Sequence, residues 1–322
     1  LTKALITGCT GQDGSYLAEL LLTKGYEVHG LVRRSSNYAM PNLVNVKDKI
    51  TIYYGDLGNT NHIHNLIYQL QPDELYNLAS QSDVGISFKC PEYTGDVTGL
   101  AVTRLLEAVR TVSPKTKFYQ ASTSELFGNA EAPQNENTPM VPRSPYAIAK
   151  LYAHNVVRLY RESYGMFACS GILFNHESSR RGLNFVTRKV TYAVANYTMN
   201  GKNPEPLRMG NLSAMRDWGY APDYVEAMWR MLQQPVPGDY VIGTGQTHSV
   251  EDLLATTFSL VDLDWHKFVE IDKSLLRPAE TNLLSADYYK AKEILNWEPK
   301  VKFKELIKIM LEADIKAVAN NG

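Results

Sequence analysis

The chain has 322 residues, enough for one large hydrophobic core or two modest ones, and its 44% hydrophobic content is ordinary for a globular protein. A formal net charge of −1 argues against nucleic acid or an anionic membrane as the main partner, so basic residues are read locally. No run of about 18 apolar residues occurs, and the apolar residues 4–6 run straight into Gly8 instead of forming a signal-peptide core. The expectation is a soluble, cytoplasmic protein. Cys9, Cys90 and Cys169 lack CxxC spacing and His62 and His64 are the only close histidine pair, which argues against disulfides and against a metal site.

Short β-prone runs at residues 3–7, 27–32, 50–54, 73–78, 116–121 and 168–174 alternate with longer segments of helical apolar spacing such as 16–24 and 99–112. This βαβ rhythm predicts an α/β fold built on a Rossmann-type doubly wound parallel sheet. Beyond Phe174 the rhythm fails. Residues 175–188 and 199–218 are polar and carry Gly, Asn, Pro and Arg, the composition of a smaller substrate-binding domain. The expected division is therefore a dinucleotide-binding Rossmann domain over 1–174, with returning segments near 217–241 and 284–296, and a predominantly substrate-binding α/β domain over 175–322. Residues 253–260 and 303–319 have amphipathic helical spacing.

Gly8, Gly11 and Gly14 fall between the first strand and the first helix. Glycines there permit a tight turn, let the backbone approach a pyrophosphate, and let helix and strand pack closely, while the helix N-terminus offers N–H groups and a positive dipole. The wide first spacing points to the short-chain dehydrogenase family and its extended members. Arg33 and Arg34 end the second strand, where NAD enzymes usually carry an acid for the ribose 2′-hydroxyl; a guanidinium there pairs with a 2′-phosphate, so NADP is the expected cofactor. Asp56 and Leu57 after the third strand, and residues 78–81 after the fourth, either line the cofactor or are ordinary strand-end residues.

Two Tyr-x-x-x-Lys pairs occur, Tyr146/Lys150 and Tyr288/Lys292, and spacing alone does not choose between them. Context does. Tyr146 follows Arg143-Ser144-Pro145 at a helix start, downstream of a strand that ends at Thr123, whereas Tyr288 has no such strand before it and reads as a chance pair on a helix surface. One helical turn places Lys150 beside Tyr146, where its charge is expected to lower the phenol pKa. Glu125, two positions after Thr123, adds a second acid/base to a hydride-transfer site, which suggests elimination as well as oxidation.

The strings TGCTGQDG (7–14), FYQASTSELFG (118–128), PRSPYAIAK (142–150), GILFNHESSRRG (171–182), RDWGYAPDYVEAMW (216–229) and RPAE (277–280) resemble the GDP-mannose 4,6-dehydratase family of extended short-chain dehydrogenases/reductases, over nearly the whole chain. The resemblance implies that Thr123, Glu125, Tyr146 and Lys150 are catalytic. It implies that Gly8, Gly11, Gln12, Asp13, Gly14, Arg33, Arg34, Asp56, Leu57, Leu78, Ala79, Ser80, Tyr146, Lys150, His176 and Arg181 contact NADP. It further implies that Ser82, Asn175, Val186, Lys189, Gly210, Arg216, Arg277 and Glu280 hold the GDP-sugar. In the implied reaction Tyr146 takes the 4-hydroxyl proton as hydride leaves C4, Thr123 holds O4, Glu125 removes the acidified C5 proton as water leaves C6, and hydride returns to C6.

Departures from the family pattern fall at residues 78–84, at Met140-Val141, at Ser213 and Met215, and at Thr281-Asn282. They are expected to border the sugar and nucleotide pockets, and a GDP-heptose 4,6-dehydratase stays open beside a GDP-mannose enzyme. A simple NADP-dependent reductase or epimerase, which has no need of Glu125, and a catalytically silent nucleotide-sugar binding protein are the rival classes. The resemblance also implies a homodimer built on helices at 91–112 and 144–163, or a homotetramer formed through residues 33–37 and 179–181.

Overall fold

Residues 4–6 and 168–173 are small or apolar but for Ser170 and are buried throughout, the pattern of strands covered on both faces, and the computed structural model places them in a parallel sheet. It describes residues 1–34, 39–200, 205–276 and 283–321, excluding the side chains of Asn200 and Asn321. In chain order the strands are β1 (Lys3–Thr7), β2 (Glu27–Val32), β3 (Thr51–Tyr54), β4 (Glu74–Asn77), β5 (Lys117–Ala121), β6 (Ala168–Leu173), β7 (Asn175–Glu177), β8 (Leu207–Met209), β9 (Met215–Tyr220), β10 (Asp239–Ile242), β11 (Thr247–Ser249) and β12 (Val269–Ile271). The helices are α1 (Gln12–Thr23), α2 (Thr60–Leu70), α3 (Val84–Lys89), α4 (Pro91–Thr94), α5 (Ala101–Val112), α6 (Pro145–Tyr164), α7 (Val186–Asn200), α8 (Ala221–Leu232), α9 (Val250–Ser259), α10 (Tyr289–Leu295) and α11 (Phe303–Asn321), and a π-helical turn, Gly95–Leu100, joins α4 to α5.

Seven strands pair in parallel in the order β10-β6-β5-β4-β1-β2-β3. The winding reverses between β1 and β4, and at such a switch point the loops leaving the strand ends part to form a crevice. One face of the sheet is covered by α1 and α8 through Leu17, Leu21, Val225 and Met228, the other by α2, α5 and α6 through Ile67, Leu105, Val109 and Val157. The six strands read from sequence leave out β10, a short run after Gly238 that closes the sheet against β6. No helix among the described residues is long and apolar enough to cross a membrane.

At Leu173 the chain leaves the large sheet, and β7 begins two residues later in a second, three-stranded sheet of order β11-β9-β7. A separate core surrounds that sheet, formed by α7, α9 and α11 around Trp218, whose ring stacks on Phe303 at 5.9 Å. Helix α6 has clear local causes at both ends. Ser144 accepts a hydrogen bond from the Ala147 N–H at 3.1 Å, Pro145 occupies the first turn, and Gly165 adopts the left-handed conformation that stops the helix.

Candidate active site

The glycine loop is built by close approach. Gly8 has φ +70°, and a Cβ there would lie 2.9 Å from the Ala79 backbone; one on Gly14 would lie 2.4 Å from the Gly8 carbonyl oxygen. Thr7 Oγ1 fixes the opposite wall, donating to Asn77 Oδ1 at 2.6 Å and accepting from the N–H groups of Leu78 and Ala79 at 3.1 and 3.2 Å. Gly11 caps α1 with no side-chain hydrogen bond, so the helix N-terminus offers its N–H groups to the cavity that Gly11, Gln12, Asp13 and Gly14 line.

This loop is also bolted to β7, across more than half the chain. Gln12 Nε2 donates to the His176 carbonyl at 3.0 Å and Ser178 Oγ donates to Gln12 Oε1 at 2.8 Å. His176 Nε2 lies 2.7 Å from Asp13 Oδ2 and Nδ1 lies 2.8 Å from the Phe174 carbonyl oxygen. Both ring nitrogens face acceptors, an arrangement that favours the doubly protonated ring. Burial alone opposes both charges, but mutual attraction outweighs it: His176 is held above the usual imidazole range and Asp13 below the usual carboxylate range.

The residues expected to be catalytic converge from the end of β5 and the start of α6. Thr123 Oγ1 accepts from the Glu125 N–H at 3.2 Å, capping a short 3₁₀ turn, Ser124–Phe127, and its own proton remains available to the Tyr146 phenol, to which it hydrogen-bonds. Burial pushes the Tyr146 phenol up to about 12; the Thr123 hydrogen bond and the Arg181 charge pull the other way, while Glu125 and Asp13 reinforce the rise. Lys150 behaves differently from the sequence expectation. Its Nζ donates to the Ala121 carbonyl at 2.8 Å and lies 5.8 Å from the centre of the Tyr146 ring, and burial brings its pKa down to about 8. The burial that encloses the pair thus works against both charges.

These groups share one cavity of about 880 Å³ between the large sheet and the second lobe. Every described residue named from sequence as a cofactor, substrate or catalytic group lines it, except Arg34. Arg34 is exposed and outside the wall, whereas Arg33 lines it and donates to the Tyr93 hydroxyl; adjacent residues leaving a strand do not share a face. Arg277 and Glu280 lie outside the described residues, as do residues 35–37 and Thr281-Asn282. On the second-lobe side, Lys189 Nζ donates to the Arg208 carbonyl at 2.6 Å and Arg216 Nη1 to the Met215 carbonyl at 2.9 Å.

Several departures from the family pattern do not border this cavity. Met140 packs against the separate cluster of Phe127, Phe174 and Leu284, Val141 is exposed, and Ser213 and Met215 stand outside the wall. Ser80 and Asp83 do line it. Asp83 Oδ1 caps α3 by accepting from the Ile86 N–H at 3.0 Å, and its Oδ2 accepts from Asn184 Nδ2 at 2.7 Å across the cavity mouth. An Asp ahead of an apolar run is a legible helix cap, but nothing local in sequence announces its partner in another lobe. Tyr93, Asn184 and Asn211 are further wall residues that sequence reading passed over. Tyr288 and Lys292 lie outside the cavity, and Tyr288 is packed edge-on against Trp297 at 6.0 Å, which makes it a core contact and not a surface residue.

The GDP-mannose 4,6 dehydratase family profile matches residues 5–310. GDP-mannose 4,6 dehydratase 1 of Arabidopsis thaliana is 51% identical over 97% of this chain and 90% of its own length. The human GDP-mannose 4,6 dehydratase is 47% identical over 99% of this chain and 92% of its own. Among solved structures, a UDP-glucose 4-epimerase of Thermotoga maritima superimposes with TM-score 0.89 at 24% identity, covering 98% of this chain and all of that one. A dTDP-glucose 4,6-dehydratase of Bacillus anthracis superimposes with TM-score 0.84 at 20% identity, over 98% and 97%. The structural likenesses show the fold, and the sequence relatives carry the finer conclusion: the chain belongs to the GDP-mannose 4,6-dehydratase family.

Proposed function

We propose that the protein converts GDP-mannose to GDP-4-keto-6-deoxymannose and water, with NADP as a resident cofactor. The observation that carries this reading is the convergence of Thr123, Glu125, Tyr146 and Lys150 on one wall of a cavity whose other end is a glycine-lined helix N-terminus. The residues fit a dinucleotide: Gly8 and Gly14 have no room for a side chain, α1 presents uncapped N–H groups, and the Arg33 guanidinium matches a 2′-phosphate. NADP supplies a hydride acceptor at C4 and a hydride donor at C6, so no net redox change results.

The chain's own residues handle the protons. Tyr146 Oη receives the proton of the sugar 4-hydroxyl, and Thr123, held by the Glu125 N–H, turns to O4 the hydroxyl proton that it otherwise gives to the phenol. Oxidation at C4 acidifies C5–H. Glu125 then takes the C5 proton and gives one to the departing C6 hydroxyl, which leaves as water; once hydride has returned to C6, Tyr146 gives the former 4-hydroxyl proton to C5, so phenol and carboxylate both end as they began. Asn175, Val186, Lys189, Gly210 and Arg216 form the second-lobe wall that receives the GDP-sugar, while the parallel-sheet lobe holds the dinucleotide. Incubation with GDP-mannose tests the reading. The product should have lost one water by mass without net NADPH consumption, and a product of unchanged mass would point to an epimerase instead.

A homodimer formed by α6 and the helix at 91–112 belongs to the same proposal. Ile148, Tyr152 and Leu159 form an apolar stripe along α6, with Ile148 59% and Leu159 53% exposed. Light scattering at micromolar concentration should give a dimer or tetramer mass.

A further inference from the structure

Arg181 enters the cavity wall from a short turn that is held on two sides. Toward the nucleotide lobe, Ser178 is bonded to Gln12, and Arg180 donates to Ser15 Oγ at 3.0 Å and Glu19 Oε1 at 2.6 Å. Arg181 itself sits over Phe185, its Cζ 3.7 Å from the ring centre, with Nε 3.1 Å from Glu177 Oε2.

From behind, a single arginine gathers the turn's backbone. Arg188 Nη1 donates to the carbonyls of both Ser179 and Arg181, the latter at 3.0 Å. Its Nε and Nη2 each lie 2.6 Å from Asp314 Oδ1, on α11. Asp314 is fully buried, and Thr191 Oγ1 donates to its other oxygen at 2.7 Å. Neither Arg188 nor Asp314 touches the cavity. An arginine with five fixed donors and no carboxylate to orient it has no reason to keep two carbonyls in register; with Asp314 in place, its fork has one geometry.

We propose that Asp314 is a positioning residue for the nucleotide site: acting through Arg188, it fixes the 178–181 turn and so the placement of Arg181 against bound dinucleotide. This rests on the reading that the cavity takes NADP. A bolt that merely joined α7 to α11 would serve stability alone, and the two roles separate by measurement.

Arg188→Lys keeps a cation for Asp314 but loses the fork that reaches both carbonyls; Asp314→Asn removes the orienting charge. NADPH affinity of the purified full-length protein, read by fluorescence, and thermal stability are measured in parallel. Both variants are expected to bind NADPH about tenfold more weakly, the size of one lost charge-assisted hydrogen bond, and Arg188→Lys should do so while melting close to wild type. NADPH affinity within about twofold of wild type in folded Arg188→Lys overturns the proposal, whether or not Asp314→Asn folds. A wild-type protein that takes up no NADPH overturns the cofactor reading instead.

Discussion

Tyr146 and Lys150 are 8% and 4% exposed on the inner face of α6, with the lysine's Nζ on the Ala121 carbonyl, whereas Lys292 on α10 is exposed and ion-paired to Glu298 at 2.5 Å, and Tyr288 is wedged against Trp297. Spacing is identical in the two pairs. Environment moves the lysines in opposite directions: burial lowers Lys150 to about 8, while the hydrogen bond and charge of Glu298 raise Lys292. Helical spacing brings a tyrosine and a lysine together, but a strand end, a carbonyl and a cavity surround only one such pair.

The comparison breaks most readily at the groups proposed to act on the sugar. Tyr146→Phe and Glu125→Gln should each lower turnover by about 10²- to 10⁴-fold, with cofactor and nucleotide-sugar affinity kept. Near wild-type turnover in Tyr146→Phe would overturn the assignment of that pair, and in Glu125→Gln the assignment of the C5 base.

A pH profile sharpens it. Lys150 is charged below about pH 8 and neutral above, so its attraction for the phenolate operates only on the acid side of that value. Lys150→Met should therefore cost most at neutral pH, with the difference from wild type narrowing as the medium becomes alkaline and phenolate forms unaided. A deficit that stays constant with pH would show that Lys150 acts by binding alone.

Arg33→Ala has a smaller expected effect, on affinity only. Loss of a guanidinium from a 2′-phosphate should weaken NADP by about tenfold and NAD much less, as titration of both nucleotides would show. Equal losses would mean that Arg33 serves Tyr93 and not the cofactor. Smallest of all should be Tyr288→Phe and Lys292→Met, which leave turnover and its pH dependence unchanged in steady-state assays. A severe loss in either, with NADP still bound, would reverse the choice between the pairs.

Sequence by itself determined the parallel α/β class and the glycine loop, and singled out Thr123, Glu125, Tyr146 and Lys150, which one cavity gathers, because each rests on local spacing: a two-residue period, a helical turn, or glycines where no Cβ fits. Tertiary structure alone decided the rest. It separated Arg33 from Arg34, sent Met140 into a different core, added β10 to the sheet, and joined Asp13 to His176 and Asp83 to Asn184. Those outcomes depend on which faces two packed lobes present to each other. Periodicity along a chain encodes the face a residue occupies on its own element, but not the distant residue that will meet it there, nor whether burial will raise or lower the pKa it brings.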